Sequence, residues 1–530
     1  MADDEESHDD SAQTETEDMS SSMQGLGIAD SLKQENGVSF QELVERLLVL
    51  PASKQDSKFV PSFLCLYRLF ATPKQLLLAV IDQFVKTEKS NMVRFTKVAE
   101  MLRYLQVLGQ WTAQYPGDFA EAPQREIATT FIRSLEKSRE FGPAAKEIGN
   151  NLDTVVADDD QDWAYDNVLP SANSKGSLAT NKTPASSNTS IPSSVNSNKL
   201  SRSRTHEEGD DASERAPKTK GMTSASILKT GNSSQSFLNL AQLALAREES
   251  KHLRPNPHIR LGKYEWHQFM ETPLDELARE ITRVDWTMYS SIRPRDFVRH
   301  VTLSERKRGS RRNDNISQMV RQFNHLAIFV SGMILFRDKP KHRARALERF
   351  MDLAWKVRQL NNYNSLGAIV AGIGGNEIVR LGATQELVPV DKRKQFMRLT
   401  ILMGINRSHA AYRMAWENSF AERIPFLPLL RQDLTMAASA NQTFIGTNVN
   451  WKKFDIMGEA IVGVQKSLEQ PYSFPARNTM TDHTVKLILE TRILEDLEVG
   501  LIHRKLLAHA NRYTGFGRSR SRTLSTQHTG

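Results

Sequence analysis

The sequence predicts an all-α protein with two folded parts, and three observations carry that expectation. Apolar residues recur at intervals of three and four in both halves of the chain, the spacing of one buried helix face. Runs that alternate apolar and polar, as a half-buried strand does, are scarce. Between the halves no Phe, Tyr or Trp occurs from Asp166 to Ser236, and 29 of the 65 residues from 171 to 235 are Ser, Thr or Asn. Such a stretch lacks the apolar area to offset chain entropy, so it reads as a flexible linker and not as a third core.

Taken in order, residues 1–36 hold ten acids within the first 30 positions and no Lys or Arg there, and read as a disordered acidic tail. Helical spacing begins with Phe40, Leu43, Leu47 and Leu48. In the run Phe63 to Phe84, Thr72-Pro73 reads as an N-cap followed by proline at the first helical position. Leu76, Leu77, Val80, Ile81 and Phe84 form its stripe, and Val93–Tyr115 and Ile127–Leu135 read as further amphipathic helices. Residues 37–145 are therefore expected to be a small helical domain and 146–236 the linker. A large helical domain is expected over 237–510. Its stripes include Leu347, Phe350, Met351, Ala354, Val357 and Leu360, and then Ile456, Ala460, Ile461 and Val464. Residues 511–530 form a basic, Ser/Thr-rich tail whose SRSRT segment repeats one in the linker, a match short enough to be chance. Phosphorylation of these segments would weaken any attraction to anionic membrane.

Several function classes drop out. Cys65 is the only cysteine, so no intramolecular disulfide and no cysteine-built zinc site can form. It sits in the apolar run FLCLYRLF and reads as core, not as a nucleophile. The longest nearly unbroken apolar run, Leu326 to Phe336, is eleven residues, where a membrane span needs about 20. The acidic N-terminus does not read as a targeting signal; a soluble, cytoplasmic protein is expected. There is no GxxxxGK[ST], GxSxG, HExxH or kinase motif set. Gly372, Gly374 and Gly375 read as a tight helix–helix corner. The histidines are scattered without metal spacing. The basic loop Arg306–Arg312 lacks interleaved aromatics and any nucleic-acid-binding motif, so it reads as a solvated loop. No nucleic-acid partner, metal or cofactor is expected. The basic excess could instead favour a weak contact with anionic membrane.

Four blocks carry more than composition. FLCLYRLFATPKQLLLAVIDQF (Phe63–Phe84), with Trp111, Asp118 and Phe119 downstream, resembles the Ras exchanger motif. LDELAREITRVDWTMYSSIRPRDFV (Leu274–Val298) and RALERFMDLAWKVRQLNNYNSLGAIVAGI (Arg345–Ile373) are similar to the opening and central blocks of the catalytic domain of Son-of-sevenless-type Ras guanine-nucleotide exchange factors. IPFLPLLRQDLTM (Ile424–Met436) and VNWKKFDIMGEAI…QKSLEQPY (Val449–Tyr472) look like the two arms of that domain's helical hairpin.

The resemblance implies an exchange factor for a Ras- or Rap-like GTPase, recruited to membranes bearing that GTPase. No covalent bond changes, which fits the missing catalytic motifs. The implied wedge is the hairpin, with Phe426, Leu427, Asp433, Thr435, Ser439 and Lys453 as its working residues. Thr435 matches the position that intrudes on the GTPase's Mg²⁺, and Ser439 stands where the family carries a Glu that contacts the phosphate loop. The implied dock is Val320, Arg321 and Asn324, with Asn361, Asn362, Asn364, His409 and Tyr412 beside it. The three close asparagines read equally as satisfied core amides or a helix break. The first domain is implied to buttress the hairpin and can carry an allosteric GTPase site. Because Ser439 replaces a Glu, the alternative is a catalytically weak relative serving as a GTPase-binding scaffold. A basic helical binder of nucleic acid or membrane, unrelated to GTPases, is the remaining reading.

Overall fold

The computed structural model describes residues 36–50, 56–165, 245–305, 307, 314–476 and 478–493. Helices dominate; the only sheets among the described residues are two of two strands each. The acidic tail up to residue 35, the basic tail, most of the Arg306–Arg312 loop, residues 166–236 of the expected linker, and residues 237–244 and 494–510 of the expected large domain lie outside the described residues.

Among the described residues the N-terminal domain has six α-helices: α1 (Phe40–Leu48), α2 (Phe59–Leu66), α3 (Pro73–Lys89), α4 (Arg94–Gln114), α5 (Ala122–Leu135) and α6 (Gly142–Asp153). Thr72 caps α3 as its sequence predicts, accepting from the Gln75 amide at 3.3 Å with Pro73 at the first position. Ser39 closes a capping box with Glu42 on α1. Helix α2 is apolar except for Ser62 and is buried accordingly. Cys65 lies within it, fully buried, and burial pushes its thiol up to about 12 against the opposing pull of Arg295.

Ordered chain continues past the expected boundary at 145. Helix α6 buries Ala145, Ile148 and Leu152, and residues 155–165 then run along the domain as a strap. Ala145, Ile148 and Leu152 keep helical spacing, and the acids after them are tied down by arginines from elsewhere in the chain.

The described part of the larger domain opens with helix over 245–252, followed by β1 (Ile259–Arg260), α7 (Lys263–Glu271), α8 (Leu274–Ser290) and α9 (Pro294–Thr302). Its core is α10 (Asn315–Leu335), α11 (Pro340–Gln359) and α12 (Tyr363–Ile373). At Gly372 a Cβ would lie 2.6 Å from the Ala327 carbonyl oxygen, so only glycine lets α12 cross α10 this closely. Two four-residue helices, α13 (Asn376–Val379) and α14 (Gly382–Gln385), lead to α15 (Val390–Met403) and α16 (Asn406–Glu417). Arg407, Ser408 and His409 at the start of α16 have φ of 48°, 52° and 63°, so regular helix begins only after them.

Helix α17 (Leu427–Ala440), the ribbon β2 (Phe444–Ile445) and β3 (Asn448–Val449), and helix α18 (Trp451–Gln465) form a hairpin. Gly446, at φ 61°, makes the ribbon's turn. Helix α19 (Thr479–Glu490) and β4 (Thr491–Arg492) follow, β4 pairing parallel with β1.

Candidate functional site

The hairpin is braced from behind by the N-terminal domain. Helix α2 packs along α18: Phe59 and Phe63 pack against Trp451 at 4.7 and 5.9 Å, and Phe70 meets Phe454 at 4.9 Å. A Cβ at Gly458 would collide with Ser62, so this glycine sets the helix separation. At the tip, Val38 exchanges both main-chain hydrogen bonds with Val449, at 2.9 and 2.8 Å. Tyr165, at the end of the strap, packs against Phe444 of β2, ring centroids 5.9 Å apart.

A buried charge network locks this brace. Asp118, fully buried, accepts from Tyr67, Trp111, Arg68 and Arg295 at 2.5 to 2.8 Å. Arg295, from α9 of the larger domain, also reaches Asp160 at 3.0 Å and the Leu64 carbonyl at 2.8 Å. Arg299, one turn on, holds Asp160 at 2.5 Å, and Arg68 holds Asp158 at 3.0 Å. Burial alone would raise the Asp118 and Asp160 carboxyls. The arginines beside them overrule it and hold both below the usual carboxylate range, Asp160 well below it.

On the hairpin's open side, Thr435, Met436 and Ser439 are exposed on α17. Each hydroxyl is bonded back into the helix: Thr435 donates to the Arg431 carbonyl at 2.7 Å, Ser439 to the Thr435 carbonyl at 2.8 Å. The strip carries no charge. Asp433, two residues before Thr435, is gripped by Arg413 of α16 through two hydrogen bonds of 2.8 and 2.9 Å. Val320 is half-buried on α10, with Arg321 and Asn324 exposed beside it at one- and four-residue spacing.

The other expected residues are placed inside. Phe426 is half-buried among Phe323, His409 and Tyr412, its edge 2.6 Å from where a Gly367 Cβ would sit. Leu427 is fully buried, and Tyr412 is buried with its hydroxyl accepting from the Phe426 amide at 2.9 Å. His409 is half-buried, and burial together with Arg413 lowers its imidazole.

Lys453, expected to work on the partner, is buried and clasps the hairpin instead. Its Nζ donates to the Asn441 carbonyl at 2.9 Å and Thr443 at 3.4 Å. This ties down the C-terminus of α17, where a cation also suits the helix dipole.

The asparagines resolve toward core amides. Asn362 caps α12 by accepting from the Ser365 amide at 3.0 Å, and Asn364 donates to the buried Asp285 at 3.2 Å. Asn361, at φ 52°, makes the left-handed break before α12 and donates to the Glu422 carbonyl at 3.2 Å.

The sequence reading missed an apolar fringe on the packed pair α15 and α16. Met397, Ile401, Ile405 and Met414 are more than half exposed. The signal was present: α15 buries Leu399 and Met403, so Met397 and Ile401 form a second apolar stripe on the same helix. Among the described residues no cluster of three or more His, Cys, Asp or Glu could hold a metal ion.

The fold defines a class: a two-domain helical protein whose larger domain projects a hairpin braced by the smaller one. Residues 276–455 match the RasGEF domain and residues 34–137 the RasGEF N-terminal motif. Together these matches span just over half of the chain, which belongs to the Ras guanine-nucleotide exchange factor family.

Ras guanine nucleotide exchange factor B of Dictyostelium discoideum is 23% identical over 442 residues, covering 82% of this chain and 26% of that protein. Rap guanine nucleotide exchange factor 5 of Homo sapiens is 29% identical over 186 residues, 35% of this chain and 32% of that protein. Ras guanine nucleotide exchange factor P of Dictyostelium discoideum is 29% identical over 244 residues, 45% of this chain and 16% of that protein. The chain spans a third or less of the length of these relatives.

Proposed function

We propose that the chain promotes nucleotide release from a Ras- or Rap-like small GTPase, with the α17–α18 hairpin as its wedge. The observation that carries this is a braced hairpin presenting an uncharged strip, Thr435 to Ser439, on a chain that holds both family domains. The mechanism is linkage. A surface that binds the nucleotide-free GTPase better than the loaded form weakens nucleotide binding by the same factor, and incoming nucleotide displaces it. Val320, Arg321, Asn324 and the apolar fringe of α15 and α16 are suited to dock the partner, while Phe426, Tyr412 and Leu427 root the wedge helix. The full chain is expected to accelerate release of labelled GDP from at least one member of a Ras and Rap panel. No acceleration of any member refutes the reading.

One observation favours a second reading, a weak exchanger serving as a GTPase-binding scaffold. Ser439 is short, uncharged and already donates its hydroxyl hydrogen to its own helix, so it offers the partner only an acceptor. Replacing it by Glu would add a carboxylate able to accept from phosphate-loop donors. Faster release by Ser439→Glu supports a handicap at this position, and an unchanged rate removes that account.

No helix among the described residues is long and apolar enough to cross a membrane. Attraction of the basic tail to an anionic membrane bearing the GTPase remains part of this proposal. It is tested by vesicle binding of the full chain with and without residues 511–530.

A further inference from the structure

The turn between α3 and α4 carries an apolar tip that the described residues leave uncovered. Phe95 is 85% exposed, the most of any large apolar side chain among the described residues, Val93 is 75% exposed and Met92 39%. None of the three packs against the core of the described residues. Local helix physics does not account for them. Val93 is the N-cap of α4, where Ser, Thr, Asp or Asn would bond the free amides of the first turn, and it makes no side-chain cap. A position that breaks a local rule without a structural gain is a place to look for function.

The tip is held firmly. Ser90 ends α3 and donates its hydroxyl to the Thr87 carbonyl at 2.7 Å. Lys97, in the first turn of α4, reaches back and donates to the Glu88 and Ser90 carbonyls at 3.0 and 2.6 Å, where a cation also suits the C-terminus of α3. The apolar side chains are thus presented by a turn clamped at its base.

Its surroundings are basic. Arg94 pairs with Glu140 at 2.9 Å, which brings the α5–α6 connection alongside. Residues 86–97 and 133–140 hold seven Lys and Arg against Glu88, Glu136 and Glu140, a net charge of +4. Lys86 is paired with Asp82 at 2.8 Å, whereas Lys89, Lys137 and Arg139 are exposed. Three apolar side chains fall far short of the roughly 800 Å² per partner that a stable protein interface buries. A bilayer asks for neither that area nor a matching shape. Apolar residues enter its interface while neighbouring cations meet anionic headgroups.

We propose that the α3–α4 turn inserts Val93 and Phe95 into an anionic membrane surface, with the cations around it meeting the lipid headgroups. Helix α3 rises about 1.5 Å per residue over 17 residues, which puts the turn about 24 Å along its axis from Pro73. Pro73 lies three residues after the Phe70 that meets Phe454, so the lipid contact and the hairpin contact fall at opposite ends of α3. The inference stands apart from the exchange reading and from the basic tail, since it is read without a GTPase and at the turn itself.

The test mixes the full chain with vesicles of phosphatidylcholine alone, and of phosphatidylcholine with about 30% phosphatidylserine, and reads binding by co-sedimentation. Wild type should prefer the anionic vesicles. The double substitution Val93→Ser, Phe95→Ser should weaken that binding about tenfold or more, as withdrawing one Val or Phe side chain from an apolar phase does. The double variant should melt no lower than wild type, because both side chains are exposed and Ser is the better N-cap. Equal vesicle binding by the two proteins overturns the proposal. A fluorophore on Asn91→Cys reads the exposed turn itself, Cys65 being buried. Its emission should shift to the blue on anionic vesicles, and less on phosphatidylcholine alone. If the chain binds lipid only through its tail, the label stays unshifted, and that result overturns the proposal. If the label shifts with protein concentration in the absence of lipid, the tip joins two copies of the chain instead, and the proposal fails.

Discussion

Asn364 and Asn324 show how one residue type takes opposite roles. Asn364 is buried and its amide serves Asp285, whose carboxyl burial raises. Replacing it with Ala leaves that buried group short of a donor, at a cost of about 1–3 kcal/mol. Asn364→Ala should therefore lower the denaturation midpoint. Asn324→Ala, on the open face of α10, should leave that midpoint alone and weaken GTPase binding, read by titration of the nucleotide-free complex. Cys65 offers a simpler check. With its thiol pushed up to about 12, it should resist thiol reagents at neutral pH in the native protein and react once unfolded. At this scale the sequence was legible where a residue's surroundings are local. The Thr72 cap and the core position of Cys65 follow from adjacent residues. The task of Lys453 did not follow, because its acceptors, Asn441 and Thr443, belong to a loop whose path depends on the whole hairpin.

Among elements, the contact of α2 with α18 sets how firmly the wedge is held. Gly458 is its narrow point. Gly458→Ala forces the helices apart against Ser62, and overpacking of this kind costs about 1–3 kcal/mol. Thermal melting should register the loss, and Ser62→Gly in the same chain should recover part of it. Recovery would show that spacing, not helix propensity, is responsible, since glycine at position 62 is itself unfavourable in a helix. Helix positions were readable from apolar spacing because that pattern records which face is covered. What covers it is not recorded. The stripe of α18 is apolar whether its partner is α17, α2 or both, so the brace became visible only with the fold. The same limit hid the exposed Met397 and Ile401, since a helix with apolar residues on two faces reads as simply more buried.

For the whole molecule, the decisive feature is the Asp118–Arg295–Asp160 network between domains. Its carboxyls are held below their usual range in the fold, so they add stability above the unfolded carboxylate value of about 3.9. That stability is lost as pH falls through the depressed folded values. Acid unfolding of the wild type should thus set in below about pH 4. Arg295→Met leaves buried carboxylates without their main partner and should cost about 3–5 kcal/mol in chemical denaturation at neutral pH. The two-domain layout was legible from the aromatic-free stretch between the halves. The strap was not: an aspartate-rich segment looks solvated until arginines nearly 140 positions away, as for Arg299 and Asp160, are brought beside it.

The largely apolar α2 has a consequence for the order in which the chain is made. It leaves the ribosome early, yet the Trp451 and Phe454 rings that cover Phe59, Phe63 and Phe70 follow roughly 400 residues later, about 20–80 s at ordinary rates of synthesis. For that interval the newborn N-terminal half carries an oily face with nothing on it. A ribosome stalled before residue 451 would hold a protein in need of a chaperone, and completion of the wedge is what ends that need.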